Sequence, residues 1–498
     1  GTAAAAGPLL MLAAPHHMDL LMGKTVPAGL DAAFYSMKGP LTAVVGTEWV
    51  LKDKNPPSIS WAAPTPLDTE SEWGQAVLAQ LLLDAQTTLN MQVPDPYGAG
   101  KEMGRTARLA LLAQEMGRPA LALKLAQALG DRLAYWLNEE TDQPYPDPLL
   151  YDTTWGGVVS TNGLRDAGAD FGNAYYNDHH FQYGYFAYGC AVAAKIDPSF
   201  IQRLGNKCNF LIADFATHDP ENAIFPQARH KDFWAFHSWA SGLFSSPVGK
   251  NEESSTEAIN GYYGVMLYGE ATGNKALHDW GKLLLTMEIR AVKKYWHLRD
   301  ESVYDSVFVA TNRMAGNMNS IVVNSQTWFG NARVYVHEIQ AMPFTPLTEE
   351  VLDCGFVQLQ WGVLAPTLGG AEPTWAALAR LNQAIIDPEE AWKEFNQIQA
   401  SDLDNGLTKA AGLHWIATRP PCKQLPEAEL LAAARPTVHP ACSANSACQA
   451  LGQQGDCCPT AEGTFLGCCP AGVTYPGYLP PAAAVLAGGG GGGGGGEE

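Results

Sequence analysis

Charge is scarce in this chain, and positive charge scarcest. Charged side chains make up 16% of the 498 residues, with 31 lysines and arginines against 51 aspartates and glutamates, a net charge of −20 at pH 7. A surface that neutralises phosphates needs clustered cations, so nucleic acid is excluded as the expected partner. The same shortage argues against an anionic membrane face. Long apolar runs are missing too. Ala3 to Ala14 is apolar but short, broken by Pro8, followed by Pro15, His16 and His17, and preceded by no basic residues. It reads as neither a membrane span nor a secretion signal. There is no Asn-x-Ser/Thr triplet, so glycosylation gives no clue to compartment. A His-Glu-x-x-His pattern is also absent, and adjacent histidines such as His179 and His180 diverge on a helix, so no metal and no cofactor is expected.

Apolar and aromatic residues are plentiful. The hydrophobic fraction is 46%, with 14 Trp, 18 Tyr and 17 Phe, which is ample for a large core and excludes a disordered chain over most of the length. The length points to several domains, or to one large domain with appendages. The first residue is Gly1 rather than Met, so a fragment or a processed form is expected.

Four zones follow from composition and period. Residues 1–70 mix strand-like runs with turns; Leu41 to Leu51 reads as extended, and Lys52 to Pro66, with four prolines, reads as a linker. Residues 71–425 carry a helical period, with runs at Arg105–Gln114 and Pro119–Leu137 and further ones starting near His179, Ser254, Leu277 and Trp375. Such helices and long loops suit a toroid of helical hairpins, although periodicity alone does not separate that from other all-α packings. Residues 437–475 hold Cys442, Cys448, Cys457, Cys458, Cys468 and Cys469, spaced unlike a zinc site, and are expected to form a small disulfide-stapled module. Six cysteines allow 15 connectivities, and the spacing does not choose among them. Residues 476–498 end in a glycine run that reads as a flexible tail.

Three segments carry the chemistry: Asp170 to Tyr185, Arg229 to Gly242, and Asn251 to Tyr263. Carboxylates interleaved with aromatics suit a sugar site, where rings stack on aromatic faces and polar groups bond hydroxyls. Glycosidic cleavage needs one protonated carboxyl for the leaving oxygen and a second carboxylate facing the anomeric carbon. Plainer readings compete. Asp178 precedes a helix and is a candidate N-cap. Ser254 and Glu257 have capping-box spacing. Glu252 and Glu253 fit a solvated turn, and if the helix starts a residue earlier Glu253 and Glu257 share one face. Tryptophan and tyrosine stripes are more often core than groove.

Taken together the three segments resemble glycoside hydrolase family 81, the endo-β-1,3-glucanases. The resemblance rests on Asp170-Phe-Gly-Asn, Tyr176 to Phe186, His237-Ser-Trp-Ala-Ser-Gly-Leu243 and Glu253-Ser-Ser-Thr-Glu-Ala-Ile-Asn260. It is extended by Pro15-His-His17, Asp95-Pro-Tyr97 with Gly100-Lys101, Thr327-Trp-Phe-Gly330 and Pro343-Phe-Thr-Pro346, and spans about residues 9–420. It implies a mainly α chain, an (α/α)6 barrel preceded by the remnant of an N-terminal β-sandwich domain, with most of that sandwich lying before Gly1. It implies hydrolysis of internal β-1,3-glucosidic bonds with inversion, Asp178 as general acid, Glu253 as general base and Glu257 supporting the water or the sugar. Asp170, Tyr176, His180, Gln182, Tyr183, Asp232, His237, Trp239 and Trp328 are the expected substrate-binding residues. β-1,3-Glucan is the expected partner, the chain is expected to be monomeric, and its place outside the cell or in the cell wall.

Two positions depart from the family pattern. Gln182 stands where the family usually has His, and a glutamine bonds a hydroxyl but carries no proton. Glu338 replaces a glycine in His337-Glu-Ile-Gln340. The first departure motivates a rival reading, a glucan-binding protein with little or no turnover. A third reading, another inverting glycosidase or a lyase on a helical barrel, rests on fold alone, which never fixes function.

Overall fold

The computed structural model describes residues 7–23, 26–29, 34–88, 93–137, 149–300, 302–423 and 425. The six clustered cysteines, the 437–475 module and the 476–498 tail lie outside them.

The chain is mainly helical with a few small sheets. Near the N-terminus, strands β1 (Leu9–Ala13), β2 (Val26–Pro27), β3 (Phe34–Ser36) and β4 (Gly39–Gly46) form a four-stranded antiparallel sheet. β1 pairs along β4 from Leu9 opposite Gly46 to Ala13 opposite Thr42, β2 pairs with Val44 and Val45, and β3 folds onto the start of β4. The extended reading of Leu41 to Leu51 thus falls on β4 and a short strand at Val50–Leu51. Residues 52–66 contain neither helix nor strand.

The helical region begins with α1 (Glu72–Thr88), α2 (Pro96–Glu115), α3 (Pro119–Trp136), α4 (His179–Ile196), α5 (Phe200–Ala216), α6 (Ser255–Ala271) and α7 (Lys275–Tyr295). It continues with α8 (Arg333–Ile339), α9 (Cys354–Leu364), α10 (Pro373–Gln383), α11 (Pro388–Gln397) and α12 (Lys409–Ala417). Their starts follow local chemistry: Pro occupies the first turn of α2 and α3, and Asp95 caps α2 by accepting the Gly98 N–H at 2.7 Å. Burial alternates along the sequence. In α2, α4 and α6 respectively 16 of 20, 16 of 18 and 15 of 17 residues are buried; in α3, α5 and α7 the counts are 8 of 18, 9 of 17 and 9 of 21. The first set is therefore enclosed on all sides, and the second packs one stripe inward. Three-residue connections join α2 to α3, α4 to α5 and α6 to α7, so each enclosed helix forms a hairpin with its half-buried successor.

The enclosed helices touch closely. A Cβ added at Gly184 of α4 would lie 2.6 Å from Gly261 Cα, and one added at Gly261 of α6 would lie 2.4 Å from the His180 carbonyl. Two glycines thus let the backbones of α4 and α6 meet, and this sets how near their N-termini lie. A disulfide joins Cys190 of α4 to Cys208 of α5, and another joins Cys354 at the start of α9 to Cys422. The sheet docks on α7 through the Pro15-His-His17 segment. His16 Nδ1 is 2.6 Å from the Tyr295 hydroxyl and Nε2 is 3.0 Å from the Trp234 carbonyl. Asp19 pairs with Lys294, and Asp53 with Arg290. No helix among the described residues is long and apolar enough to cross a membrane.

Candidate active site

The N-termini of α4 and α6 open onto a cavity of about 720 Å³. Asp178, Glu253 and Glu257 all line it, with the aromatic faces of Phe171, Phe244, Trp328, Phe329 and Trp375 around them. Phe171, Trp328 and Phe329 are each half exposed or more, at 59, 61 and 50%. Large apolar rings left in contact with water beside three carboxyls make a surface suited to a ligand with both apolar and hydroxylated faces.

Asp178 occupies the N-cap position of α4, yet its side chain bonds no helix N–H. The capping interpretation fails because the backbone is left-handed there, at φ +61°, so the carboxyl does not take the usual capping direction. Asp170, Phe171 and Tyr176 are also left-handed, at +53, +59 and +64°. Such residues cost of order 1–3 kcal/mol each and persist where the surroundings over-determine them. Buried Asn173 supplies much of that restraint. Its Oδ1 accepts the Ser160 N–H at 2.7 Å, and its Nδ2 donates to Gln182 Oε1 at 2.8 Å and to the Tyr183 hydroxyl at 3.0 Å. Gln182 Nε2 donates in turn to the Asp170 carbonyl at 3.0 Å, and the Asp178 N–H donates to the Ala240 carbonyl at 3.0 Å.

Glu253 sits between the short strand Asn251–Glu252 and α6, outside the helix, so it does not share a helical face with Glu257. Its Oε1 accepts the Trp328 N–H at 2.7 Å. The capping box is not closed either. Ser254 makes no cap hydrogen bond; its hydroxyl donates to the Ile339 carbonyl at 3.1 Å. Glu257 Oε1 instead accepts from the hydroxyls of Tyr97, at 2.9 Å, and Tyr185, at 2.8 Å.

The electrostatics separate the three acids. Burial, reinforced by the charges of Glu253 and Glu257, holds the Asp178 carboxyl well above the usual carboxylate range. Burial pushes Glu253 up to about 7; the Trp328 N–H opposes this and Glu257 adds to it. Glu257 is also raised by burial, but Lys101, Ser254, Tyr185 and Tyr97 all pull against the rise.

Of the other residues singled out from sequence, Gln182 and Trp328 line the cavity and the rest do not. Asp170 lies beside it, with Oδ1 3.4 Å from Asn162 Nδ2. His180 is buried against Glu252 at 3.2 Å, Tyr183 donates to the Val158 carbonyl at 2.9 Å, and buried His237 bonds the Ser238 carbonyl at 2.7 Å. Tyr176 and Trp239 line a smaller pocket of about 150 Å³ that shares Ser241 with the main cavity. Asp232 accepts from Trp239 Nε1 at 3.1 Å and lines a further groove beside Trp239. No group of three or more His, Cys, Asp or Glu among the described residues could hold a metal ion.

Sequence reasoning missed Lys101, Asp404, Phe171, Phe329 and Trp375 as cavity residues. Lys101, Phe171 and Phe329 lay inside quoted motifs, and that was the available signal; Asp404 and Trp375 carried none.

Comparison with known proteins gives a consistent result. A model of the glycosyl hydrolase family 81 C-terminal domain matches residues 70–416, and one of the family's N-terminal domain matches residues 1–66. A glucan endo-1,3-beta-D-glucosidase of Glycine max is 31% identical over 427 residues, covering 83% of this chain and 62% of that protein. The primary septum glucan endo-1,3-beta-D-glucosidase of Schizosaccharomyces pombe is 32% identical over 416 residues, covering 81% and 40%. The chain thus spans less than two thirds of the curated relatives it matches. A solved glycoside hydrolase family 81 structure from Clostridium thermocellum superposes with a TM-score of 0.71 at 24% identity, covering 84% of this chain and 56% of that one, a likeness of fold.

Proposed function

The chain belongs to glycoside hydrolase family 81, and on that premise we propose that it hydrolyses internal β-1,3-glucosidic bonds of β-1,3-glucans with inversion. The observation that carries this reading is the convergence of Asp178, Glu253 and Glu257 on one aromatic-walled cavity. Asp178, kept neutral by burial and two neighbouring carboxylates, is the general acid that protonates the leaving oxygen. Glu253 is the general base that takes a proton from the attacking water; its value of about 7 matches a group that must gain and lose a proton near neutrality. Glu257, steadied by two tyrosine hydroxyls, supports that water or the sugar. Phe171, Trp328, Phe329 and Trp375 form the platforms on which glucosyl rings stack, and Tyr176, Asp232 and Trp239 extend the binding surface along the adjoining pockets. Asp170, His180, Tyr183 and His237 act behind them, holding the walls in place.

The rival reading without turnover came from Gln182. Both ends of that amide are engaged, with Asn173 and with the Asp170 carbonyl, so it serves the left-handed segment and leaves the proton chemistry to the three acids. The alternation of enclosed and half-buried helices fits an (α/α)6 barrel over 71–425, and the sheet of β1 to β4 fits the end of a β-sandwich within 1–70. The two disulfides fit an oxidising compartment and hence a place outside the cell or in its wall.

The test is incubation with linear β-1,3-glucan, following chain length and anomeric form by NMR. Falling chain length with α-anomers first, lost in Asp178→Asn and Glu253→Gln, is the expected result. Uncut glucan across roughly pH 4–8 with a folded protein would overturn it.

A further inference from the structure

Four carboxyls line one cavity, those of Asp178, Glu253, Glu257 and Asp404, and among the described residues lining it Lys101 is the only Lys, Arg or His. Lys101 is buried, at 5% exposure, on α2. Tyr97 stands four residues before it, so hydroxyl and ammonium share one helical face, with Lys101 Nζ 5.2 Å from the Tyr97 ring centre. Asp404 Oδ2 holds that Nζ at 2.5 Å, and a Cβ at Gly406 would come within 3.3 Å of Lys101 Cε, so the stem is confined as well. The groups around Glu257 are therefore Tyr97 and Lys101 from α2, Tyr185 from α4, Asp178 at its N-cap, Glu253 and Ser254 before α6, and Asp404 beyond Lys101. Glu257 has a cation and two tyrosine hydroxyls to steady a negative charge, whereas Glu253 bonds one backbone N–H through its carboxylate.

We propose that Lys101, clamped by Asp404, is a positioning residue that keeps Glu257 ionised beside Glu253, so that both glutamates carry charge while Asp178 still holds its proton. The inference deepens the hydrolase reading above and rests on it. Lys101 acts through Glu257. Without it, Glu257 ionises only at higher pH, because the hydroxyls of Ser254, Tyr97 and Tyr185 alone then oppose its burial. Asp178 has its proton held by burial and by the two glutamates, so the alkaline side of the profile has no direct dependence on Lys101.

The experiment is the pH dependence of kcat and KM on linear β-1,3-glucan for the wild type, Lys101→Met and Lys101→Arg. Lys101→Met is expected to move the acidic limb of kcat/KM upward by roughly one pH unit or more, the size usual for loss of an opposite charge near a carboxylate. Its alkaline limb should stay in place, with KM little changed, and Lys101→Arg should restore the acidic limb. Should Lys101→Met fail to fold because Asp404 is left unpaired, the double variant Lys101→Met/Asp404→Asn removes the orphaned charge and is expected to show the same upward shift. A folded variant that loses kcat equally at every pH, with its limb unmoved, would overturn the inference while leaving the hydrolase reading intact. Uncut glucan with the wild type would remove both.

Discussion

Replacing Gly261 by alanine tests the architecture behind the site. The new Cβ would lie 2.4 Å from the His180 carbonyl and 3.4 Å from Gly184 Cα, where ordinary contacts run from 3.4 to 4 Å. Both neighbours are backbone, so no side chain can swing aside; α4 and α6 must separate. Overpacking of this kind costs about 1–3 kcal/mol. Alanine gives back up to about 1 kcal/mol of helix propensity, so strain wins. A contact this short with a fixed carbonyl belongs at the upper end of that range, so about 2 kcal/mol remains, and at about 2 °C per kcal/mol for a domain of this size the melting temperature should fall by about 4 °C. Glucan cleavage should fall further than stability, because the shift parts the helix starting at Asp178 from the one carrying Glu257. Gly362 on α9 is the control: nothing lies within 4 Å of a Cβ there, so Gly362→Ala should be neutral or stabilising by up to about 1 kcal/mol. Melts followed by circular dichroism at one scan rate, with cleavage rates alongside, decide the matter. A Gly261→Ala protein that melts with or above the wild type would refute the backbone contact.

Glu338 gives a pH-dependent prediction. It is fully buried, accepts one hydrogen bond from Asn382 Nδ2 at 3.2 Å, and burial pushes its carboxyl up to about 8. The fold prefers the neutral form, so stability is intact below about pH 4.5 and declines as pH rises towards 8, where the unfolded chain is ionised and the folded one resists. Glu338→Gln should therefore raise the melting temperature at pH 7–8 and leave it unchanged at pH 4–5; an equal gain at both would contradict the account. At the cavity, Trp328→Ala removes an exposed ring but keeps the backbone N–H that bonds Glu253. An aromatic contact worth about 0.5–1.5 kcal/mol predicts a KM on β-1,3-glucan raised about 2- to 12-fold with kcat nearly unchanged. A large loss of kcat would show that the ring shapes the acid pair as well.

Asp178, Glu253, Glu257 and Trp328 were legible because their chemistry sits in short, dense motifs, and the structure brings all four to one cavity. The helical starts at Pro119 and His179 were legible for local reasons, a proline in the first turn and a change of period. What misled was local pattern in competition with tertiary partners. Ser254 and Glu257 have the spacing of a capping box, but the Ile339 carbonyl takes the hydroxyl and two tyrosines take the carboxylate. His180, Tyr183 and His237 look like ligand-binding groups in the sequence, yet their partners are buried carbonyls and a buried carboxyl. Asp404 and Trp375 reach the cavity from more than a hundred residues beyond α6, and nothing in their neighbours' identities announces it. The pairing of Cys190 with Cys208 and of Cys354 with Cys422 was equally unreadable, since lone cysteines scattered among helices show no spacing.

The left-handed stretch from Asp170 to Asp178 has a consequence for durability. Four non-glycine residues held there store several kcal/mol, at about 1–3 kcal/mol each, comparable to the whole net stability of an ordinary domain. Asn173 and Gln182 are among the contacts that hold the segment against that strain, with the Asp178 N–H on the Ala240 carbonyl and the Tyr176 hydroxyl on Asp152. Warming should therefore release this stretch before the helices melt, so that activity is expected to be lost under heat before the fold is. Selection for a longer-lived protein would find its easiest gains by relaxing that loop, and each gain would come at the expense of the aspartate it holds in place.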